Sequence, residues 1–401
     1  MSLWRMALKS LRQHALSTAI TSLSIALAAG LLMAVTAVRE QAQAAFTHVN
    51  SGFDAVLGAR SSKLQLVLNA IFHLEASPAN ITWADYQEIQ KHPGVALAVP
   101  IAMGDNYRGY RVVGTIPEML AGHEYAPGRH YAVRPPGRLF DPTLREAVVG
   151  SFAARKLGLT YGSRFHPYHG LNFAEEHQHE EEYVVVGVLE PSNTPADKVI
   201  WIPLEGVQQM GGHATNAATE VSAVLVRLNG PTFGPALDQL YNKKGTRLTW
   251  AWPIGATIVD LFNRITWFDR VLALVAGLVA IVAAASVTAS IYNSMNERRR
   301  QIAILRALGA RRRTVASWIV LEAVAIAALG CAAGFAVYGA ILLSTAAVLQ
   351  AQTGVVLDPW ALHPVMGWAP LSLIGLSALA GLVPAVKAYR TDVAENLAPS
   401  H

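Results

Sequence analysis

Four histidines and a run of carboxylates lie within 17 residues: His166-x-x-His169, then His177-x-His179 followed by Glu180-Glu181-Glu182. Imidazole nitrogen and carboxylate oxygen are ligands of choice for zinc, and a His-x-His pair on an extended segment points both rings to one side. His166, His169, His177 and His179 are therefore candidate ligands for Zn2+; the alternative is a solvated acidic loop that happens to hold histidines. A second stretch, residues 296–313, carries Arg298 to Arg300, Arg306 and Arg311 to Arg313 around an apolar stripe. Ile302, Leu305 and Leu308 share one helical face, with Ile304 beside them, and Gly309 can close the helix in a left-handed cap. A short cationic amphipathic helix either lies on anionic lipid headgroups or docks into a partner protein, and its chemistry alone does not choose between the two.

Motifs for independent catalysis are missing. The chain contains no G-x-x-x-x-G-K-[ST] phosphate loop, no G-x-S-x-G and no H-E-x-x-H, so it cannot bind ATP in the P-loop manner by itself. Its one cysteine, Cys331, rules out an intrachain disulfide and a cysteine-based metal site.

The elements that must position these residues follow from composition. Of 401 residues, 52% are hydrophobic and 15% charged, with a mean hydropathy of +0.31. Soluble domains carry about a quarter charged residues, so a cytosolic enzyme, a disordered chain and a coiled coil are disfavoured. Four runs are long enough to span about 30 Å of hydrocarbon. Leu16 to Val38, Val271 to Tyr292 and Met366 to Val386 have no charged residue, and Trp318 to Val348 has only Glu322. The net charge of +5 is local: residues 39–270 hold 20 Lys/Arg against 22 Asp/Glu, while the three basic segments flanking the runs hold 12 against 3. That distribution is topological rather than a nucleic-acid footprint, and it puts both termini and the loop between the second and third runs in the cytoplasm. A cleaved signal peptide is the competing reading of the first run, but its apolar stretch exceeds the 7 to 15 residues usual for one.

The fold expected is an α-helical membrane protein with four transmembrane helices plus a large mixed α/β extracytoplasmic domain. In that domain Thr82 caps a helix through Lys91, closed by His92-Pro93-Gly94. Strands are expected at Val95 to Val99, Arg111 to Gly114, Val184 to Leu189 and Ala223 to Val226, with a short helix from Ser151 to Leu157 closed at Gly158. Ile254, Ile258, Leu261, Phe262 and Ile265 recur at helical spacing and predict an amphipathic stalk leading into the second span. Glu322, the one membrane-embedded carboxylate, reads as a group snorkelling to the cytoplasmic face or paired with an arginine, or else as a proton or ion site. Gly330, Gly334 and Gly339 beside Cys331 predict close helix packing, and Trp360 and Trp368 interfacial anchoring.

Glu297-Arg298-x-x-Gln301-Ile302-x-x-Leu305-Arg306-Ala307-Leu308-Gly309-Ala310 closely resembles the signature at the junction of the second and third membrane helices in the FtsX-like/MacB-like ABC transporter permeases. Agreement extends along essentially the whole chain. Trp4, Ala7, Leu8 and Leu11 resemble that family's amino-terminal helix. Val148-Val149-Gly150 through Ala154, Leu157-Gly158-Leu159 and Gly162, and Val185 to Leu189 with Asp197 and Pro203, resemble its periplasmic core. Pro384-Ala385 with Ala388 resembles its carboxy-terminal exit. Gln301 stands where the family usually has Glu, so the contact available there is a hydrogen bond, and Asp392-Val393 replaces the common Asp-Pro.

The resemblance implies a division into a cytoplasmic lead-in helix (1–15), four transmembrane helices (16–38, 271–292, 318–348 and 366–386), a periplasmic α/β domain with stalk helices (39–270), a cytoplasmic coupling segment (293–317), a short periplasmic loop (349–365) and a cytoplasmic tail (387–401). It implies a permease subunit in the bacterial inner membrane acting as a mechanotransmitter. Glu297, Arg298, Gln301, Ile302, Leu305, Arg306, Leu308 and Gly309 would meet a separate ATPase dimer that binds the ATP, and a second permease copy would complete a homodimer. The output would be export or extraction of a periplasmic or outer-leaflet substrate with a periplasmic adaptor. The alternatives are a signal transducer controlling a periplasmic hydrolase, and a zinc-linked trafficking or sensing complex with a metal-binding periplasmic partner.

Overall fold

Strands buried on both faces need no polar alternation, and the segments 55–59, 146–149, 200–203 and 248–251 are buried at every residue. In the computed structural model they belong to one sheet. Residues 3–48, 51–170, 174, 177–211, 219–264, 266–297, 302–304, 306, 309–353 and 356–390 are described, and they divide into two compact units.

The first unit comprises Ala42–Arg264 with Val348–Leu357. Its ten described sheet strands are β1 (Ala55–Ala59), β2 (Val95–Tyr107), β3 (Tyr110–Thr115), β4 (Glu146–Val149), β5 (Arg164–Phe165), β6 (Tyr168–His169), β7 (Tyr183–Val188), β8 (Ile200–Pro203), β9 (Ala223–Leu228) and β10 (Leu248–Ala251). The spatial order is β10-β1-β9-β2-β3-β8-β4-β7-β5, with β6 paired to β2 beside this path. The β3–β8 and β4–β7 pairs are parallel and the others antiparallel.

Because successive side chains alternate faces, each strand feeds two cores. Leu57, Val112, Val149, Val185, Ile200 and Val224 pack with Tyr86, Ile89, Ala153 and Leu204 on one side. Val56, Val99, Val113, Val148, Trp201 and Leu225 pack with Leu66, Val67, Ile254 and Ile258 on the other. Ile254 and Ile258 sit in the helix Ile254–Arg264, so the segment expected as a stalk is docked on the sheet through that face; Ile265 lies outside the described residues.

Local signals act as their chemistry requires. The helix Trp83–Gln90 starts at Thr82 in a capping box with Asp85, and Arg247 Nη1 donates to Asp85 Oδ2 at 2.7 Å. Burial alone would raise the Asp85 carboxyl, but the bonds from Arg247 and Thr82 hold it below its ordinary value. The helix Ser151–Leu157 closes at Gly158, whose φ of 71° is left-handed. At Gly150 a Cβ would lie 2.3 Å from the Ala196 carbonyl oxygen, so this glycine lets β4 approach the loop in which Ser192 and Asn193 amides donate to Asp197.

The second unit comprises Met1–Gln41, Ile265–Ala347 and Asp358–His401. Its described residues supply four helices long and apolar enough to cross a membrane, within Ala15–Ala44, Arg270–Met295, Arg312–Gln352 and Val365–Lys387. Small residues set the crossings. A Cβ on Gly30 would lie 2.6 Å from Val337 Cβ, one on Gly330 2.7 Å from Ile25 Cβ, and one on Gly334 2.8 Å from Ala29 Cβ, so the first and third helices approach through backbone. Gly339 departs from the expectation: it faces open space. Serine and threonine hydroxyls link further pairs: Ser17 with Ser290 at 2.8 Å joins the first and second helices, Ser22 Oγ to the Ile326 carbonyl at 3.3 Å the first and third, and Thr288 Oγ1 to the Ala380 carbonyl at 3.3 Å the second and fourth. Cys331 is buried beside the Pro370 carbonyl.

Candidate functional site

Two of the four candidate histidines meet at one edge of the sheet, together with a residue the spacing did not reveal. His169 and His179 converge on Asp105, and the ligand atoms of all three lie within 4.8 Å of one another. His179 Nε2 is 3.1 Å and His169 Nδ1 3.4 Å from the same oxygen, Asp105 Oδ1. Asp105 is wholly buried and His179 nearly so, while the His169 side chain is 50% exposed.

Backbone pairing produces this meeting. The β2–β3 register shifts between Met103 and Asp105, a bulge of the kind that re-aims a side chain at a sheet edge. Beyond it Asp105 pairs directly with His169 of β6, and Asn106 with Tyr168. Tyr168 bridges to Gln178, and the His179 amide donates to the Pro167 carbonyl at 2.9 Å. Asn106 Nδ2 donates to the Gly170 carbonyl at 2.9 Å, and the Gly170 amide to the Gly104 carbonyl at 2.7 Å. The hydrogen bond to Asp105 raises the His179 imidazole above its ordinary 6.5, against burial, which alone would lower it.

His166 and His177 are outside this group. His166 follows β5 and is partly exposed; His177 lies in a single 3-10 turn and is exposed. The extended geometry assumed for His177-x-His179 is thus replaced by a turn, and the two rings differ in burial. Glu182 is taken up by Arg164, whose Nη1 donates at 2.6 Å, and Glu181 Oε1 accepts from the Gly211 amide at 3.0 Å.

At the basic junction the helix Thr266–Glu297 ends with Glu297. Arg298, Gln301, Leu305 and Leu308 lie outside the described residues. Ile302 and Ala303 are buried, Ile302 among the apolar side chains of the helical unit, whereas Ile304 is 44% exposed and Arg306 partly exposed. Gly309 has a φ of 98° and its amide donates to the Arg306 carbonyl at 3.0 Å, the left-handed closure expected there. Glu322 is buried and accepts from the Ser10 hydroxyl of the helix Leu3–Gln13. On that amino-terminal helix Ala7 and Leu11 are buried, while Trp4 and Leu8 are exposed.

Residues 18–237 match the MacB-like periplasmic core domain, and residues 273–393 match the FtsX-like permease C-terminal region. The first match alone spans more than half of the chain. The chain belongs to the FtsX-like/MacB-like ABC transporter permease family. Among solved structures, it is similar to the extracellular domain of the noncanonic ABC-type transporter YknZ from Gram-positive bacteria, with 17% identity, a TM-score of 0.31 and coverage of 49% of this chain and 98% of that one. It is also similar to the periplasmic region of MacB from Actinobacillus actinomycetemcomitans, with 10% identity, a TM-score of 0.35 and coverage of 54% and 94%. No curated protein matches.

Within this FtsX-like/MacB-like permease, the Asp105–His169–His179 group and the junction ending at Gly309 fall in different matched regions. Asp105 was missed because it lies 64 residues before His169 in the sequence, on the polar end of a strand whose apolar run stops at Met103; only β-pairing brings it near.

Proposed function

We propose that this permease is the membrane subunit of a bacterial inner-membrane ABC complex, and that it transmits the motion of a separate cytoplasmic ATPase dimer to its sheet domain for export or extraction of a periplasmic or outer-leaflet substrate. The four apolar helices span the membrane, both termini and the Glu297–Gly309 junction face the cytoplasm, the sheet domain is periplasmic, and two copies pair on the ATPase dimer. The observation that carries this reading is helix continuity. The helix Ala15–His48 begins in the helical unit and ends in the sheet unit, and the 42-residue helix Arg312–Thr353 does the same. A span needs only about 20 residues, so both helices have length left over to carry displacement. Within the sheet unit the Lys198 ammonium donates to the Gln352 carbonyl, which ties the end of the longer helix to the loop held by Asp197.

Conduction through the helices fits less well. Apart from Glu322, the four apolar runs contain no Asp, Glu, Lys, Arg or His, whereas ion and proton pathways keep such groups in the bundle. The Ser10 hydroxyl already occupies Glu322.

Ile304 is the exposed apolar residue of the basic junction among those described, which suits it to an apolar pocket on the ATPase. Ile304→Asp should release the ATPase from the complex, or leave it hydrolysing ATP at its unstimulated rate, because a carboxylate there must be desolvated on docking. Copurification with unchanged stoichiometry and unchanged stimulation of ATP hydrolysis would return the junction to a lipid-surface role.

A further inference from the structure

We infer that Asp105, His169 and His179 form a binding site for a single Zn2+ ion at the edge of the sheet domain. Donor atoms around a tetrahedral ion are separated by about 1.6 bond lengths, roughly 3.3 Å for bonds of about 2.0–2.1 Å. The two imidazole nitrogens stand 3.1 and 3.4 Å from Asp105 Oδ1, and the rings meet edge to face with centroids 5.6 Å apart. Two of the three donor separations are already at zinc spacing and the third, between the imidazole nitrogens, is within 4.8 Å, so little rearrangement is needed to take the ion.

The competing explanation is an ion pair between the Asp105 carboxylate and a histidinium. One imidazolium suffices for that, and the buried His179 supplies it; a second imidazole on the same oxygen is surplus to a structural pair. A metal ion uses all three groups. The donors are also held by their surroundings rather than by their own interaction. The Asp105–His169 strand pairing, the His179 amide bond to Pro167 and the Asn106 bond to Gly170 fix the three segments independently, which is the support that keeps a site at productive geometry. Two imidazoles with one carboxylate favour zinc over magnesium or calcium, which prefer all-oxygen shells. With Asp105 and His179 buried and His169 half exposed, the fourth position faces the solvent side, where water or an acidic group of a partner can complete the shell. The inference does not depend on the coupling role proposed above, since it concerns the sheet domain alone.

The test is a Zn2+ titration of the full chain in detergent against a chromophoric chelator. Parent protein should take up zinc saturably at one ion per chain, in the presence of excess Mg2+. His169→Ala, chosen because its exposed ring can be removed without opening the core, should weaken binding by more than about tenfold while leaving the unfolding temperature without zinc unchanged. Asp105→Asn should do the same if it folds. His166→Ala and His177→Ala should bind as the parent does. Absence of saturable uptake, parent-like binding by His169→Ala, or loss confined to the His166 and His177 variants would overturn the site; the last result would assign the zinc to the acidic loop instead.

Discussion

The sheet domain and the helical unit bury apolar surface differently. In the sheet domain the largest side chains are inside: Trp201 and Trp250 are completely buried, and few large apolar groups other than Leu74, Leu144, Tyr161 and Leu240 are exposed. In the helical unit small residues such as Ala28, Ala29, Ala37 and Ala323 are buried together with Ile25, Met33 and Leu342, while many large groups, Leu16, Leu274, Ile281, Val282, Leu371 and Val383 among them, point outward. The sheet domain also carries the ion pairs Lys63–Asp238, Arg138–Glu146 and Arg247–Asp85. Keeping nearly all large apolar groups inside is what water imposes; leaving many of them outside is what hydrocarbon permits, because lipid tails are as apolar as leucine and helices associate through close backbone contact at small residues. The exposed faces thus distinguish the two units, and that of the helical unit agrees with the membrane location of its family.

The contrast can be broken most severely at Trp201. Its ring lies in the second core, its Nε1 donates to the Ala196 carbonyl at 3.4 Å, and His73 packs edge-on against it. Trp201→Ala should cost about 3–5 kcal/mol, read as early unfolding of the β-signal in circular dichroism while helical signal persists. The converse change, Gly334→Leu, adds bulk where a first carbon would already meet Ala29 Cβ at 2.8 Å. Overpacking of this kind costs about 1–3 kcal/mol, and here the helical signal should melt first. Loss of the same unit in both variants would erase the distinction.

A smaller effect sharpens the comparison, because it belongs to the sheet domain alone. Burial, with the nearby Arg111 charge, lowers the His73 imidazole from 6.5 to about 3, and its Nδ1 is buried without a hydrogen-bond partner among the described residues. A histidine held neutral in the fold binds its proton only on unfolding. Its contribution is therefore complete above pH 6.5 and is lost as pH falls from there toward about 3. Asp85, held below 3.8, contributes stability present above 3.8 and lost as pH falls through its lowered folded value, so it cannot explain a decline at pH 5. His73→Asn, which tolerates the φ of 55° found there, should flatten the dependence of β-unfolding temperature on pH between 6.5 and 4. An unchanged slope would assign the acid sensitivity to other groups.

Legibility from sequence followed the same division. The helix capped at Thr82, the closure at Gly158 and the apolar runs were readable, because caps and length act locally. Strands β1, β4, β8 and β10 were not, since a buried run such as Ile-Trp-Ile-Pro shows no alternation and is too short to distinguish from helix. Strand β2 continues past Pro100 to Tyr107, where Pro100 lies just beyond the last residue paired with β3 and the polar Asp105-Asn106 follow a bulge; an alternation-based reading stops at the proline. In the site, His169 and His179 stood out by type, but their selection over His166 and His177, and the addition of Asp105, depend on which strands pair.

The proposed mechanical coupling is tested most directly by the separation of the sheet domains in the proposed two-copy complex. Cys331 is the one cysteine in the sequence and is buried, so a spin label on Leu144→Cys, at an exposed position of the sheet domain, gives one accessible probe per copy. Label-to-label distances in lipid should form one distribution without nucleotide and a shifted one with the ATPase trapped in its ATP-bound state, and the shift should vanish when Ile304→Asp is added. Distributions that coincide in the two nucleotide states, with the ATPase bound and hydrolysing, would contradict transmission of its motion to the sheet domain.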